Sequence, residues 1–185
     1  MTSAKDLSLA DSVWETDGED IANTKLLLDL YDREQISLRR YLIFLGLDAE
    51  TAAETVQESF LKLHLHLLSG GERSNLRAWL FRVAHNLARN EQSSVRSSKT
   101  TFLGDIASYV NPIAPAVSAE EALLASEMKE LLREAMRSLS SPQRNCLALR
   151  SQGLKYREIA EALELSVSTV AEHVQRGLEK LREKV

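Results

Sequence analysis

Apolar residues recur along this chain at helical spacing, in two blocks separated by a stretch with no sustained period. From Asn23 the run LLLDLYDREQISLRRYLIFLGL sets Leu27, Leu30, Tyr31, Leu38, Leu42 and Leu45 on one inward face. This predicts one long or two short helices ending at Gly46. Asp48 is placed to cap the next helix, with Glu50 in its first turn and Ala52, Val56, Phe60, Leu63 and Leu67 as its core stripe. Its outer side presents Glu54, Gln57, Glu58, Lys62 and His64, which suits a partner helix or simply solvent. A glycine-containing loop, 69–74, follows, and Ser74 is expected to cap a helix running from Asn75 to about Ser93. There Leu76, Leu80, Val83 and Leu87 are read as the core stripe, with Phe81, Arg82, His85 and Arg89 opposite and Trp79 and Asn86 on the flank. An exposed aromatic among arginines suits nucleic acid, because cations neutralise phosphate and a ring stacks on an unpaired base. A core Trp79 with merely solubilising arginines fits these residues equally well.

The second block opens with Ser118-Ala-Glu-Glu121, a capping box, and continues with Leu124, Met128, Leu131, Ala135 and Leu139 on one face. Ser141 and Pro142 are expected to start another helix, which Gly153 closes. In Tyr156 to Arg182, Ile159, Ala160 and Leu163 form a short apolar face, the period breaks at Glu164-Leu165-Ser166, and Val170, Val174, Leu178 and Leu181 resume it. Ser166 or Ser168 can cap this last helix, leaving Ser168, Thr169, Ala171, Glu172, Gln175, Arg176 and Lys180 to a partner. Two helices around a tight break predict a helix-turn-helix, whose second helix fits the major groove of B-DNA. The alternative is an ordinary helical hairpin. Glu164 stands in the turn where Gly is common.

The pattern predicts an all-α protein of two small domains. Residues 1–20 form an acidic mobile tail, 21–95 a first helical domain, 96–117 a linker containing Pro112 and Pro115, and 118–185 a helix-turn-helix domain. Composition agrees, with 7 Gly, 3 Pro and 5% aromatics against 44% hydrophobic residues in 185. The single cysteine, Cys146, excludes an internal disulfide and reads as a core thiol. No leader and no long uncharged run is present, so a cytoplasmic protein without membrane insertion is expected. A net charge of -4 is unusual for a chain that binds duplex DNA alone, because affinity rests largely on neutralising phosphate. The charge is unevenly spread, however. Residues 1–30 are acidic, whereas Arg73, Arg77, Arg82, Arg89, Arg96 and Lys99 make a basic stretch.

No phosphate-cradling glycine loop or nucleophile elbow is present, and His64, His66, His85 and His173 lack partners at metal-ligand spacing. No enzyme, cofactor or metal is expected.

Three segments, in order, resemble a known family. TVQESFLKLHLHL from Thr55 is similar to the core-polymerase-binding helix of bacterial RNA polymerase sigma factors of the extracytoplasmic-function (ECF) group. LRAWLFRVAHNLARN from Leu76 is similar to their promoter-opening helix. LSSPQRNCLALRSQGLKYREIAEAL with SVSTVAEHVQRGLEKLRE is similar to their upstream-promoter-reading domain. The resemblance implies a sigma factor that directs core RNA polymerase to promoters and assists opening, with an anti-sigma factor as a candidate partner. It implies core binding through Glu54, Gln57, Glu58, Phe60 and Lys62. It assigns the minus-10 element, captured as single strand with a flipped base, to Arg73, Ser74, Asn75, Arg77, Trp79, Phe81, Arg82, His85, Asn86 and Arg89. The minus-35 duplex falls to Ser166, Ser168, Thr169, Glu172, His173, Gln175, Arg176 and Lys180.

After Thr169-Val170 the family usually carries a basic residue, Ser and Arg, and this chain has Ala171-Glu172-His173. The TVxxHV spelling also occurs in LuxR-type regulators. The competing readings are therefore a stand-alone LuxR-type regulator and a decoy that binds polymerase or a regulator without promoter DNA.

Overall fold

The computed structural model describes the backbone of residues 7–94, 127 and 130–184, and the side chains of 18–93, 127 and 130–184. The expected linker 96–117, the capping box Ser118–Glu121, Leu124 and Met128 lie outside the described residues. All regular structure among the described residues is helical: α1 (Leu7–Leu45), α2 (Ala49–Leu68), α3 (Leu76–Ser94), α4 (130–137), α5 (Ser141–Ser151), α6 (Tyr156–Leu163) and α7 (Val167–Arg182).

The Leu-rich run is one helix rather than two. α1 is 39 residues long and extends back to Leu7, through residues 7–20 that were expected in the tail. Polar composition there gives no packing signal, yet no proline interrupts the segment and a nucleated helix propagates readily through polar residues. After Leu45 the chain reverses within three residues. Asp48 then caps α2, its carboxylate accepting from the Glu50 and Thr51 backbone N–H groups at 3.0 and 2.9 Å. Those two hydrogen bonds, Thr51 first, hold the Asp48 carboxyl below the usual carboxylate range. The short connection makes α1 and α2 neighbours, with Leu38, Tyr41, Leu42, Ala52, Phe60, Leu63 and Leu67 buried between them and α3.

α5 is capped one residue earlier than expected, by Ser140, whose hydroxyl accepts from the Gln143 N–H while the Gln143 side chain accepts from the Ser140 N–H. Ser141 is the first helical residue instead. Ser166 caps α7, accepting from the Thr169 N–H at 3.0 Å. Ile159, Ala160, Val170 and Val174 pack with Cys146 and Leu149 of α5, and burial pushes the Cys146 thiol up to about 11. This is an inert core thiol. The buried apolar residues form one continuous cluster reaching from Leu30 to Val174, so the two domains share a core across α1, α3, α5 and α6.

The turn between α6 and α7 is held by Glu164 in the left-handed region, φ 56 and ψ 44, and the Leu165 N–H reaches back to the Ala160 carbonyl at 2.8 Å. An L-residue pays about 1 kcal/mol there that glycine avoids. Exposed Glu164 makes no side-chain contact that offsets it among the hydrogen bonds and ion pairs of the described residues. Glu164→Gly should therefore stabilise the fold by about 0.5 kcal/mol after the added backbone entropy of the unfolded chain, and so raise the melting temperature slightly. A lower melting temperature would show that Glu164 makes a stabilising contact.

Candidate nucleic-acid interface

α3 carries most of the expected minus-10 residues, and its orientation differs from the expected one. Phe81 is fully buried, beside Tyr41 with ring centroids 5.9 Å apart, and His85 is 8% exposed. Both were expected on the outer side. Val83 and Leu87, expected in the core, are only partly buried. The physical reason is that α3 is covered from two directions, by α1 and α2 on one side and by α6 on the other. Ala78, Ala84 and Ala88, each 0% exposed, let these helices approach closely and turn Phe81 and His85 inward.

The Tyr41 hydroxyl lies 2.8 Å from His85 Nδ1. Burial raises the Tyr41 phenol well above its usual range, and the Cys146 thiol adds to the rise. Burial and then the Arg89 charge push His85 down to about 4. Both shifts fit a neutral phenol donating to a neutral imidazole. His85 is thus a core residue, not one on the outer side of α3.

The outer surface of α3 is the stripe Arg82, Asn86, Arg89 and Ser93, at i, i+4, i+7 and i+11. Asn86, Arg89, Asn90 and Ser93 line an open groove of about 320 Å³. Asn90 and Ser93 were not singled out from the sequence, although they extend the same stripe. Trp79 is half-buried and stacks on His66 of α2, centroids 4.8 Å apart and planes 25° apart.

The loop before α3 is firmly held. His66 Nε2 donates to the Glu72 carbonyl at 3.1 Å, and a Cβ on Gly71 would lie 2.2 Å from the His66 ring, so only glycine lets the loop close over it. Ser74 donates to the Glu72 carboxylate and does not cap α3. Arg73 donates to Glu19 at 2.7 Å and to buried Asn23 at 2.9 Å, tying the loop to α1. Asn75 and Arg77 point to the second domain.

On α2, Glu54, Gln57, Glu58 and Lys62 are exposed as expected, with Glu58 and Lys62 paired at 3.3 Å. Phe60 is not on this surface. It is 5% exposed and packs edge-on against Tyr31 at 4.9 Å, anchoring α2 to α1. Gln57 shares a groove with Gln35 and Arg39 of α1, two residues the spacing of α2 alone could not reveal. Leu61, Leu65 and Leu68 form an exposed apolar stripe beside it.

The recognition surface of α7 is open. Ser168, Glu172, Gln175, Arg176 and Lys180 are exposed, and Thr169 and His173 partly so. Glu172 pairs with Arg176 at 2.6 Å and Gln175 donates to Glu179 at 3.0 Å. Ser166 is engaged in its cap. At the start of α6, Arg150 lies over the Tyr156 ring at 5.6 Å, and Lys155 and Arg157 are exposed beside it. These cations were missed because they precede the recognition helix.

An all-helical, two-domain protein with an exposed helix-turn-helix and a basic helical stripe defines a DNA-binding class. Family models narrow it: Sigma-70 region 2 matches residues 30–98 and Sigma-70, region 4 matches 129–181. The chain is 30% identical over 168 residues to the ECF RNA polymerase sigma factor SigL of Mycobacterium tuberculosis, covering 89% of this chain and 92% of that protein. It is 26% identical over 156 residues to the RNA polymerase sigma factor SigZ of Bacillus subtilis, covering 84% of each. Its fold is shared with CnrH in complex with the cytosolic domain of CnrY, at TM-score 0.61 and 20% identity over 91% of this chain and 92% of that one. It is also shared with the sigma factor RpoE in complex with the anti-sigma factor NepR from Bartonella quintana, at TM-score 0.58 and 24% identity over 86% and 95%. The chain belongs to the ECF RNA polymerase sigma factors. It is a sigma factor that directs RNA polymerase in transcription initiation, and the LuxR-type alternative is not favoured. No helix among the described residues is long and apolar enough to cross a membrane.

His85 makes stability depend on pH. Its folded pKa lies below the unfolded 6.5, so the unfolded chain binds a proton that the folded chain refuses; this contribution is complete above pH 6.5 and is lost as pH falls towards about 4. The loss is at most about 3 kcal/mol. His85→Gln should flatten the melting-temperature profile between those values relative to wild type, and identical slopes would show that His85 does not titrate this way.

Proposed function

We propose that this sigma factor captures the minus-10 strand with the α3 stripe Arg82, Asn86 and Arg89, reads the minus-35 duplex with α7, and binds core polymerase through α2. The observation that carries the reading is the separation of α3 into a buried side and one open, basic, amide-bearing groove. Cations there neutralise phosphate and the amides of Asn86 and Asn90 meet base edges. Phe60, Phe81 and His85 support these surfaces from within. On α2, Glu54, Gln57, Glu58 and Lys62 face the polymerase, with Gln35, Arg39 and the Leu61, Leu65, Leu68 stripe extending the contact. The working units are residues 21–95 and 118–185, acting in the cytoplasm without catalysis. One solved structure of the same fold is a complex with an anti-sigma factor, which supports an anti-sigma factor as this chain's own regulator.

On α7, Ser168, Thr169, Glu172 and Gln175 meet base edges, Arg176 and Lys180 meet phosphate, and Lys155 and Arg157 brace α6 on the backbone. Glu172 is the base reader, because a carboxylate held against DNA is costly unless it accepts a hydrogen bond, as from a cytosine amino group. Its pairing with Arg176 orients it.

Run-off transcription with core polymerase across genomic fragments tests the whole reading. Within it, Asn86→Ala should reduce open complexes on duplex promoters more than on pre-melted ones. Equal loss on both templates would point to a folding defect instead of lost strand capture.

Glu172→Lys should raise general DNA affinity while eroding promoter choice at about one base position, worth roughly 1–3 kcal/mol. If selection from a randomised minus-35 library returns the same motif for both proteins, Glu172 has no readout role.

A further inference from the structure

Trp79 stands at the start of the open strip of α3. It precedes Arg82 by three residues and Asn86 by seven, so all three share one face. Its half-buried indole rests on the His66 ring of α2, centroids 4.8 Å apart. The loop 69–75 holds His66 in turn. His66 Nε2 donates to the Glu72 carbonyl at 3.1 Å, the His66 carbonyl accepts from the Gly71 N–H at 2.8 Å, and Gly71 lies against the imidazole where no Cβ would fit. The loop is itself held by α1. Arg73 Nη2 donates to Glu19 Oε1 at 2.7 Å and to Asn23 Oδ1 at 2.9 Å, two residues one helical turn apart.

We propose that these contacts are a positioning relay for strand capture, in which Glu19 and Asn23 set Arg73, the loop sets His66, and His66 sets the Trp79 ring for a base to stack on. Glu19, Asn23, Arg73 and His66 are positioning residues, and Trp79 alone of the five meets the strand. The proposal rests on the reading of the α3 strip as the strand-capturing surface.

A ring that is already fixed loses little freedom when a base stacks on it, so most of the stacking energy remains for binding. The loop cannot fix the ring unaided. Gly70 and Gly71 adjoin in it, Gly70 at φ 73, and such backbone is too permissive to hold one shape without outside anchors. The two anchors on α1 are unequal. The Arg73 and Glu19 side chains are 47% and 64% exposed, so water screens their attraction and the pair contributes little. Asn23 is 2% exposed, and its carbonyl would lose a charged donor inside the core if Arg73 let go. Asn23 is therefore the main anchor. The same contacts give the extension of α1 a purpose, because Glu19 belongs to residues 7–20, whose polar pattern predicts a tail. They also turn the Arg73 Nη2 donor towards α1, away from any phosphate on the strip.

The test has a free-chain arm and a holoenzyme arm. In the first, Trp14→Phe removes the other tryptophan, so emission reports Trp79. Adding Asn23→Ala should red-shift that emission and raise its quenching by iodide, whereas Asn23→Asp, which keeps the acceptor, should match the background. In the second arm, with holoenzyme on a promoter recovered by run-off transcription, Asn23→Ala and Arg73→Ala should each lower open complexes about five-fold, and the double variant no further, because one chain of contacts is broken in every case. Asn23→Asp should restore them. Where Asn23→Ala fails to fold, Glu19→Lys at the exposed anchor should move both readouts in the same direction by a smaller factor. Unchanged emission in the variant that folds overturns the link from α1 to Trp79. Shifted emission with wild-type open complexes overturns its role in capture, and losses that multiply in the double variant show Arg73 meeting the strand itself, which overturns its place in the relay. If Asn86→Ala leaves open complexes at the wild-type level, the strand-capture reading fails on its own, and the emission arm still decides whether α1 sets Trp79.

Discussion

The structure depends on α3 being packed from two sides at once. Three alanines, Ala78, Ala84 and Ala88, bring neighbouring helices close to its backbone, and Phe81 fills the space that remains. A helix so placed has little surface left. Its polar residues must either find partners inside, as His85 does with Tyr41 and Arg77 with Glu34, or gather on the one strip that stays wet. That strip carries Arg82, Asn86 and Arg89. The same packing that joins the two domains into one core therefore also confines the candidate strand-binding residues to a single groove.

The helices, their order and the helix-turn-helix were legible in the sequence because each has a strong local period and local caps: Asp48 for α2, Ser166 for α7, and Ser140, one position early, for α5. The orientation of α3 was not. A period of apolar residues identifies one buried face, and the stripe Leu76, Leu80, Val83 and Leu87 answered that question for a helix with one neighbour. Alanine carries almost no hydrophobic signal of its own, so a second buried face lined by alanines is nearly silent in the pattern. Phe81 and His85 then looked exposed by elimination. Phe60 shows a milder form of the same effect: it matched a functional motif and a core stripe together, and burial assigns it to the stripe.

The acidic balance of the chain is less puzzling once its charges are placed. On α7, Arg176 is paired with Glu172, and Gln175 with Glu179, so the surface proposed to read duplex DNA has its polar groups already engaged with one another. Binding must exchange those internal contacts for external ones, and the net gain per module is small. Membership of the sigma family supplies the remedy. Two weak modules held by one polymerase act at a high effective concentration on adjoining promoter elements, and affinity arises from their linkage.

The two surfaces differ in readiness, and that difference orders their use. α7 projects into solvent with its first turn fixed by the Ser166 cap, so the duplex reading proposed for it needs no rearrangement. The start of α3 is instead engaged across the domain boundary, where Arg77 donates to the Gln152 and Gly153 carbonyls and Asn75, just before the helix, donates to Glu161. Separating the domains costs the apolar contacts between α3 and α6, and that cost is met by something that binds the separated arrangement better than the closed one. With the surfaces proposed above, polymerase on α2 and a promoter spanning α3 and α7 would each satisfy this condition. Either partner alone has to offset the whole closure, while the two together divide it, so each strengthens the other's binding without any direct contact between them.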